Sequence, residues 1–593
     1  MTAMMPRRIV ILAGVAVLVT GLNAVKPAVV DDAAYLAFAC HLVNVPCDPY
    51  GGVLFWYAYP QPTQEILLPP LLPYWLAGGI WLFGMNLFLL KLSLLPFLLI
   101  LALSLDWLIR RLAPGPSCWL VSGILLGPAV LPMLNVMLDV PATALGMAAI
   151  TLFIRSAETG RCWTWLVAGL MAGLAAQTKY TMLTLPGVIL AFAVTHGAWR
   201  AMIVAISAML LVFVGWELWM AAKYQTGHFL YHVREQQQYQ ESQLLAITPD
   251  PGLLDRCQFL IHSKWPLFQP MLGYLGWLGI GAGAVATVGL GLRVRWLILF
   301  LVTAVLGFVA VAVTPYSQAV LIWGRHPGSV RLDLPTAVFV TLGTVTTLLT
   351  LAAAVRLFCP DRTRSSASLG CWNQEWRDSL FLMLWLLVEV TGYFLLTPFP
   401  AGRRVIVLAV VATLVAARSA SYRSLRSESD CPAIIIASLS AMLAGVLLFC
   451  CDFWDALPER AAARWAANRI ALESGNSGTV WFHGHWGFQY YCEEAGMRPV
   501  IPGVSWLLPG DWLVYPKLPD DYGFYRPYHG GAKFRIDPDS VVLVDCWLWD
   551  DWLAGQTIPP LYGGRVPLTG RDHPRLTIEL YRISRPWIPA PAR

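Results

Sequence analysis

The chain has 593 residues, a net charge of +6 and a mean hydropathy of +0.59, with 57% hydrophobic and 13% charged residues. Soluble domains carry about a quarter charged residues, so the composition excludes a soluble enzyme and indicates an integral membrane protein. The positive charges lie mainly in short loops between apolar runs, a pattern that reports orientation in a bilayer and argues against a nucleic-acid partner.

The first element, "MMPRRIVILAGVAVLVTGLNAV", has a basic flank and about twenty apolar residues. It lacks a clear small-residue cleavage site, so it reads as a retained span. A window of about twenty residues then predicts roughly thirteen transmembrane helices before residue 452. They fall at 8–25, 87–109, 116–134, 140–155, 163–177, 182–196, 200–221, 271–292, 296–314, 334–356, 379–397, 404–418 and 433–450. Arg7/Arg8, "IRRLAPG", "RSAETGR", "THGAWRA", "RVRW", "RLFCPDRTR" and "ARSASYRSLRS" then fall on one side, which the positive-inside rule makes cytoplasmic. The N-terminus is expected there too, and an odd number of spans places the tail outside.

The outward segments differ in character. Residues 26–86 carry proline-punctuated apolar stretches that suggest helices along the membrane interface. "LPMLNVMLDVPATAL" forms a short second turn, and the region from Lys223 to about Gln269, with "HVREQQQYQESQ", reads as a large polar loop. The tail holds short β-rich runs, "SGTVWFHGHWG", "SVVLVDCWLW" and "LTIELYRIS", after a helical "ALPERAAARWAANRIALES". The expected organisation is a membrane-embedded domain over 1–451 and an extracytoplasmic α/β domain over 452–593. The histidines of "WFHGHWGFQYYCEEAG" alternate as on a strand, and its aromatics suit a carbohydrate surface or an ordinary strand–turn–helix core. The twelve cysteines include no CxxC pair. Cys40 with Cys47, and Cys492 with Cys546, could form disulfides in an oxidising compartment or stay as thiols. No N-x-[ST] sequon occurs, which fits a bacterial chain.

Charged residues at a membrane boundary are costly unless they pair, reach water or perform a function. The outward face carries Asp31, Asp32, Glu65, Asp139, Lys179, Arg403 and Arg404. Asp31 and Asp32 fit a helix cap, but two adjacent carboxylates exceed what a cap requires. Asp139, before Val140-Pro141, is a second cap candidate, and Lys179 could snorkel at a helix end. Arg403 and Arg404 run against the charge bias and call for an anion, a lipid phosphate at the simplest. Together these residues describe a site that transfers a group from a lipid phosphate. Cations stabilise the phosphate as its bond breaks, and a carboxylate serves as base for an acceptor hydroxyl. A single displacement would invert the anomeric centre. Asp139 is placed to orient the base, hold the acceptor or help coordinate a divalent metal ion.

Five motifs, Asp31-Asp32-x-x-Tyr35, "PPLLPYWL" at 69–76, "MLDVPATAL" at 137–145, "GLAAQTKYTMLTLP" at 173–186 and "TPFPAGRRV" at 397–405, carry a resemblance over roughly residues 1–420. In order and spacing the chain resembles the GT-C superfamily of polytopic glycosyltransferases. The nearest branch is that of the protein O-mannosyltransferases and lipid A aminoarabinose transferases. The resemblance implies a polyprenyl-phosphate-sugar donor, work at the outer face of the cell membrane, and a lipid, glycan or protein acceptor. It implies Asp31 as catalytic base, Asp32 and Asp139 as further acidic positions, Tyr35 as auxiliary, and Lys179, Arg403 and Arg404 on the donor phosphate. Leu68 stands where many relatives have His or Lys before the Pro-Pro pair, so a phosphate or metal contact is missing there. Glu65, one helical turn earlier, is the residue placed to compensate. A flippase for a lipid-linked sugar, or a non-catalytic binder of one, is the alternative; charges clustered on one face disfavour a transporter.

Overall fold

The computed structural model of the protein describes residues 4–56, 59–248, 251–291, 302, 323–326, 329–332, 334–358, 374–424, 430–473, 478–517, 534–550, 566–568 and 575–590. Helix α1 (Met4–Val25) is followed by two short helices, α2 (Asp32–Asn44) and α3 (Leu71–Phe83), with a hairpin of β1 (Val53–Trp56) and β2 (Tyr59–Pro62) between them. Next come α4 (Leu87–Leu92), α5 (Leu95–Leu112), α6 (Ser117–Leu125), α7 (Asp139–Thr159), α8 (Cys162–Thr178), α9 (Leu185–His196) and α10 (Trp199–Tyr224). Beyond these lie α11 (His228–Ile247), α12 (Leu253–Lys264), α13 (Phe268–Leu278), α14 (Ile280–Leu290) and a hairpin of β3 (Trp323–His326) and β4 (Ser329–Leu332). The last helices of the bundle are α15 (Leu334–Arg356), α16 (Gln374–Leu396), α17 (Ile406–Ser424) and α18 (Asp430–Ala471).

Eight of the thirteen expected spans coincide with helices long and apolar enough to cross a bilayer. In such helices every backbone group bonds within its own segment, which is what hydrocarbon demands. The span expected at 271–292 bends by 76° between α13 and α14, those at 163–177 and 182–196 are shorter helices, and that at 296–314 lies, apart from Val302, outside the described residues. The span expected at 116–134 is corrected: α6 ends at Leu125, because Pro128 and Pro132 remove backbone donors. The irregular stretch that follows is buried in protein, where other side chains meet its carbonyls. Asn23 Nδ2 donates to Leu131 O at 2.8 Å, and Lys26 Nζ to Pro132 O at 3.1 Å.

Close helix contacts rest on small residues. On α8, a Cβ on Gly169 would lie 2.2 Å from Ala205 O, and one on Gly173 would lie 2.7 Å from Val212 Cβ. This G-x-x-x-G pair therefore lets α8 and α10 touch backbone to backbone. Helix α7 runs through the middle of the bundle with 78% of its span buried.

Helix α18 is a single 42-residue element that carries the chain from the bundle to the C-terminal sheet. That sheet contains β5 (Val480–Phe482), β6 (Arg498–Pro499), β7 (Trp512–Lys517), β8 (Val541–Asp550) and β9 (Arg575–Ile583) in the order β6-β5-β7-β9-β8. It is parallel around β5 and antiparallel at β9. Helix α19 (Trp486–Glu494) packs on it. Its core joins Phe482, Phe488, Val514 and Ile578 to Ala462, Ala463 and Ala466 of α18. Cys40, Cys47, Cys492 and Cys546 are thiols.

Candidate active site

The site begins where α1 ends. Pro27 stops a helical continuation, and residues 27–31 turn the chain into α2 with Val30 at a φ of 44°. A β-branched residue in that region is strained, and such strain collects at functional positions. Asp31 precedes α2 but makes no side-chain cap hydrogen bond. Its carboxylate instead accepts from Arg403 Nη1 at 3.1 Å, with both side chains about one-seventh exposed.

The neighbouring carboxylate takes a different path. Asp32 is fully buried; its Oδ2 accepts from Val29 N at 3.1 Å and lies 3.6 Å from Lys91 Nζ. Lys91 also donates to the carbonyls of Lys26 and Pro27 at 2.8 and 2.9 Å, and Lys26 pairs with Asp452 at 2.6 Å. Burial pushes the Asp32 carboxyl up, against the pull of the Lys91 ammonium. The chain of charges Asp32–Lys91, Lys26–Asp452 thus pins the segment that presents Asp31. From the other side, Tyr491 holds the same segment: its hydroxyl accepts from Ala28 N at 2.8 Å. Gly487 makes that approach possible, since a Cβ there would fall 2.3 Å from Ala28 O.

Asp139 is the first residue of α7, and its Oδ1 accepts from Lys179 Nζ at 2.5 Å. Lys179 is extended, between the end of α8 and a 3-10 turn at Tyr180–Thr184. Arg403 and Arg404 sit on a second 3-10 turn, Gly402–Val405. The Arg404 guanidinium lies 4.3 Å over the Phe399 ring, and its buried Nε has no acceptor among the described residues.

These elements enclose a cavity of about 540 Å³. Asp31, Tyr35, Asp139, Lys179, Arg403 and Arg404 all line it, so six of the eight residues singled out in the sequence converge there. Asp32 and Glu65 are not on its wall; Leu68 is. Sequence reasoning missed Lys264, His232 and the glutamines of α11, because the region from Lys223 to Gln269 reads as a polar loop. The structure corrects this: it forms α11 and α12. Gln, Glu and Leu are good helix formers, and Glu217 caps the start of α11 by accepting from Phe229 N and Leu230 N. The usable signal was the 3–4 spacing of Phe229, His232, Val233, Gln236, Gln237 and Gln240, all of which line the cavity. Trp486, the first residue of α19, closes the wall from the C-terminal sheet domain with a φ of 64°. His485 precedes it, edge-on to Trp56, while His483 stacks on Tyr515; they are not strand neighbours.

Beside the cavity, His228 stacks on Tyr50 at 4.2 Å, bonds the Tyr180 hydroxyl through Nδ1 at 2.6 Å and Ile66 O through Nε2 at 3.2 Å. A donor at Nε2 and an acceptor at Nδ1 define a neutral imidazole. Burial pushes its pKa from 6.5 to about 3. The unfolded chain therefore binds this proton first. The stabilisation is complete above pH 6.5 and is lost as pH falls toward 3, with about 2 kcal/mol gone by pH 5. Thermal melts at pH 7 and pH 5 should show this loss in the native protein and a smaller one in His228→Gln; equal losses would refute the assignment.

Among the described residues lining the cavity, four are cationic (Lys179, Lys264, Arg403, Arg404) and two are carboxylates. Both carboxylates are held by cations, and no three His, Cys, Asp or Glu among the described residues gather to hold a metal ion. The described lining residues therefore carry an excess of positive charge that suits an anion. Fold and cavity together define a polytopic helical membrane protein with an excess of cations in a pocket at the junction with its C-terminal sheet domain.

No protein-family model matches the sequence, and no curated protein matches it. Among solved structures, the chain is similar to the archaeal oligosaccharyltransferase AglB from Archaeoglobus fulgidus in complex with an inhibitory peptide and a dolichol-phosphate. The identity is 13% and the TM-score 0.46, over 83% of this chain and 64% of that one. It is also similar to ArnT from Cupriavidus metallidurans bound to undecaprenyl phosphate, at 15% identity and a TM-score of 0.39, over 96% of this chain and 97% of that one. The chain thus spans a little under two thirds of the oligosaccharyltransferase's length.

Proposed function

We propose that the protein is an integral membrane glycosyltransferase that moves a monosaccharide from a polyprenyl-phosphate donor to a hydroxyl of a lipid, glycan or protein acceptor at the outer membrane face. The observation that carries this reading is the convergence of Asp31 and Asp139 with Lys179, Arg403 and Arg404 on one cavity. In the reaction, the acceptor oxygen attacks the anomeric carbon, the bond from that carbon to the phosphate oxygen breaks, and the hydroxyl proton passes to the Asp31 carboxylate. Attack from the face opposite the phosphate inverts the centre.

Charge supports a monophosphate donor. The phosphodiester carries about one negative charge and the departing phosphate monoester about two at neutral pH. The described wall residues carry two more positive than negative charges, which balances the leaving group better than the donor and so favours the transition state. Arg404, whose buried Nε has no acceptor among the described residues, is the first candidate for the phosphate. Asp139 holds Lys179 toward the same space.

Mass spectrometry of surface glycans, lipids and proteins from cells with and without the gene tests this directly. A sugar modification that disappears with the gene is the expected result. Unchanged envelope glycosylation, together with sugar-lipid flux that depends on the protein, would replace the reading with transport.

A further inference from the structure

The cavity has two chemically distinct walls. The cations gather on the turns around Lys179 and Arg403–Arg404 and at the end of α12. One side of α11 also lines the cavity, with Gln236, Gln237 and Gln240 alongside His232. The charged residues of that helix are turned elsewhere. Glu235 accepts from the Tyr231 hydroxyl at 3.1 Å, and Glu241 pairs with Arg256 at 2.9 Å. Neither they nor Arg234 is among the described lining residues.

The carboxylates among the described lining residues are engaged, while Glu389 lies in an adjoining hollow that shares Asp139, Lys179, Arg403 and Arg404 with the cavity. Asp31 is engaged by Arg403 and Asp139 by Lys179, and Glu217 is spent on the start of α11. A sugar ammonium entering this space would meet a net positive wall with no free carboxylate among the described lining residues. Burying a charge without a partner is strongly unfavourable. A sugar carboxylate would compete with the phosphate for the same cations, and the α11 wall offers it no guanidinium fork. Amides, by contrast, both donate and accept, as sugar hydroxyls do. Trp56 and Trp486 add apolar faces on which a ring can lie.

We propose that the sugar on the donor is uncharged and rich in hydroxyls, carrying neither an amino nor a carboxylate group, and that the glutamine face of α11 reads it. This rests on the glycosyl-transfer reading. The test uses the full chain in nanodiscs and four synthetic probes with one prenyl tail: the bare prenyl phosphate, and the same lipid esterified to a neutral hexose, a 4-amino sugar and a hexuronic acid. Each is scored by displacement of radiolabelled prenyl phosphate. The neutral glycoside should bind at least about tenfold more tightly than the amino or uronic compound. The double variant Gln236→Glu/Gln240→Glu should shift preference toward the amino sugar. Equal or tighter binding of either charged glycoside, or no discrimination among glycosides when the bare prenyl phosphate binds, overturns the sugar assignment alone. Binding of none of the four overturns the transferase reading with it.

Discussion

Asp31→Asn should lower sugar transfer by about 10²- to 10⁴-fold, the range in which a positioned base contributes. Stability should fall by much less. The Asp31–Arg403 pair is mostly buried, so losing its charge attraction has a cost, smaller than where no acceptor is left. Asn keeps the size and one acceptor for Arg403 while removing the negative charge and the capacity to take a proton. Transfer measured in isolated membranes, with melting of the purified variant beside it, separates the two effects. Activity within a few-fold of the native protein would remove Asp31 from the role of base.

Lys91→Met should act in the opposite way, through folding. The ammonium is 2% exposed, bonds two backbone carbonyls and faces fully buried Asp32. Removing one member of a buried pair leaves the other charge uncompensated and costs about 3–5 kcal/mol. The result expected is a large fall in melting temperature and loss of protein from the membrane. Adding Asp32→Asn to Lys91→Met should restore part of the loss, since the stranded carboxylate is then gone. No recovery in the double variant would mean that the carbonyl bonds to Lys26 and Pro27, and not the ion pair, carry the stabilisation.

That contrast between Asp31 and Asp32 marks what the sequence could convey. Long apolar runs and loop charges located most spans, because hydrocarbon leaves the backbone few alternatives. Two adjacent aspartates could not be told apart, since consecutive helical side chains point about 100° away from each other. One faces the cavity; the other faces Lys91. Lys26 and Asp452 are 426 positions apart, and no local pattern announces such a pair. Trp486 likewise enters the cavity from beyond the membrane domain through a left-handed backbone turn that composition does not encode. Helix α11 was legible in principle: its 3–4 spacing is present in "FLYHVREQQQYQ", but its lining residues are mostly polar, and a search for apolar periodicity passes over them.

The central claim, that the cations around Arg404 receive a lipid phosphate next to a separate carboxylate base, has one most direct test. It is the equilibrium binding of radiolabelled prenyl phosphate to the full chain and to two variants. Arg404→Gln should weaken binding by at least about tenfold, as expected for loss of a charge-assisted hydrogen bond. Asp31→Asn should leave binding unchanged or tighten it, because a negative charge has left the cavity. Native affinity in Arg404→Gln, or weaker binding in Asp31→Asn, would contradict the account.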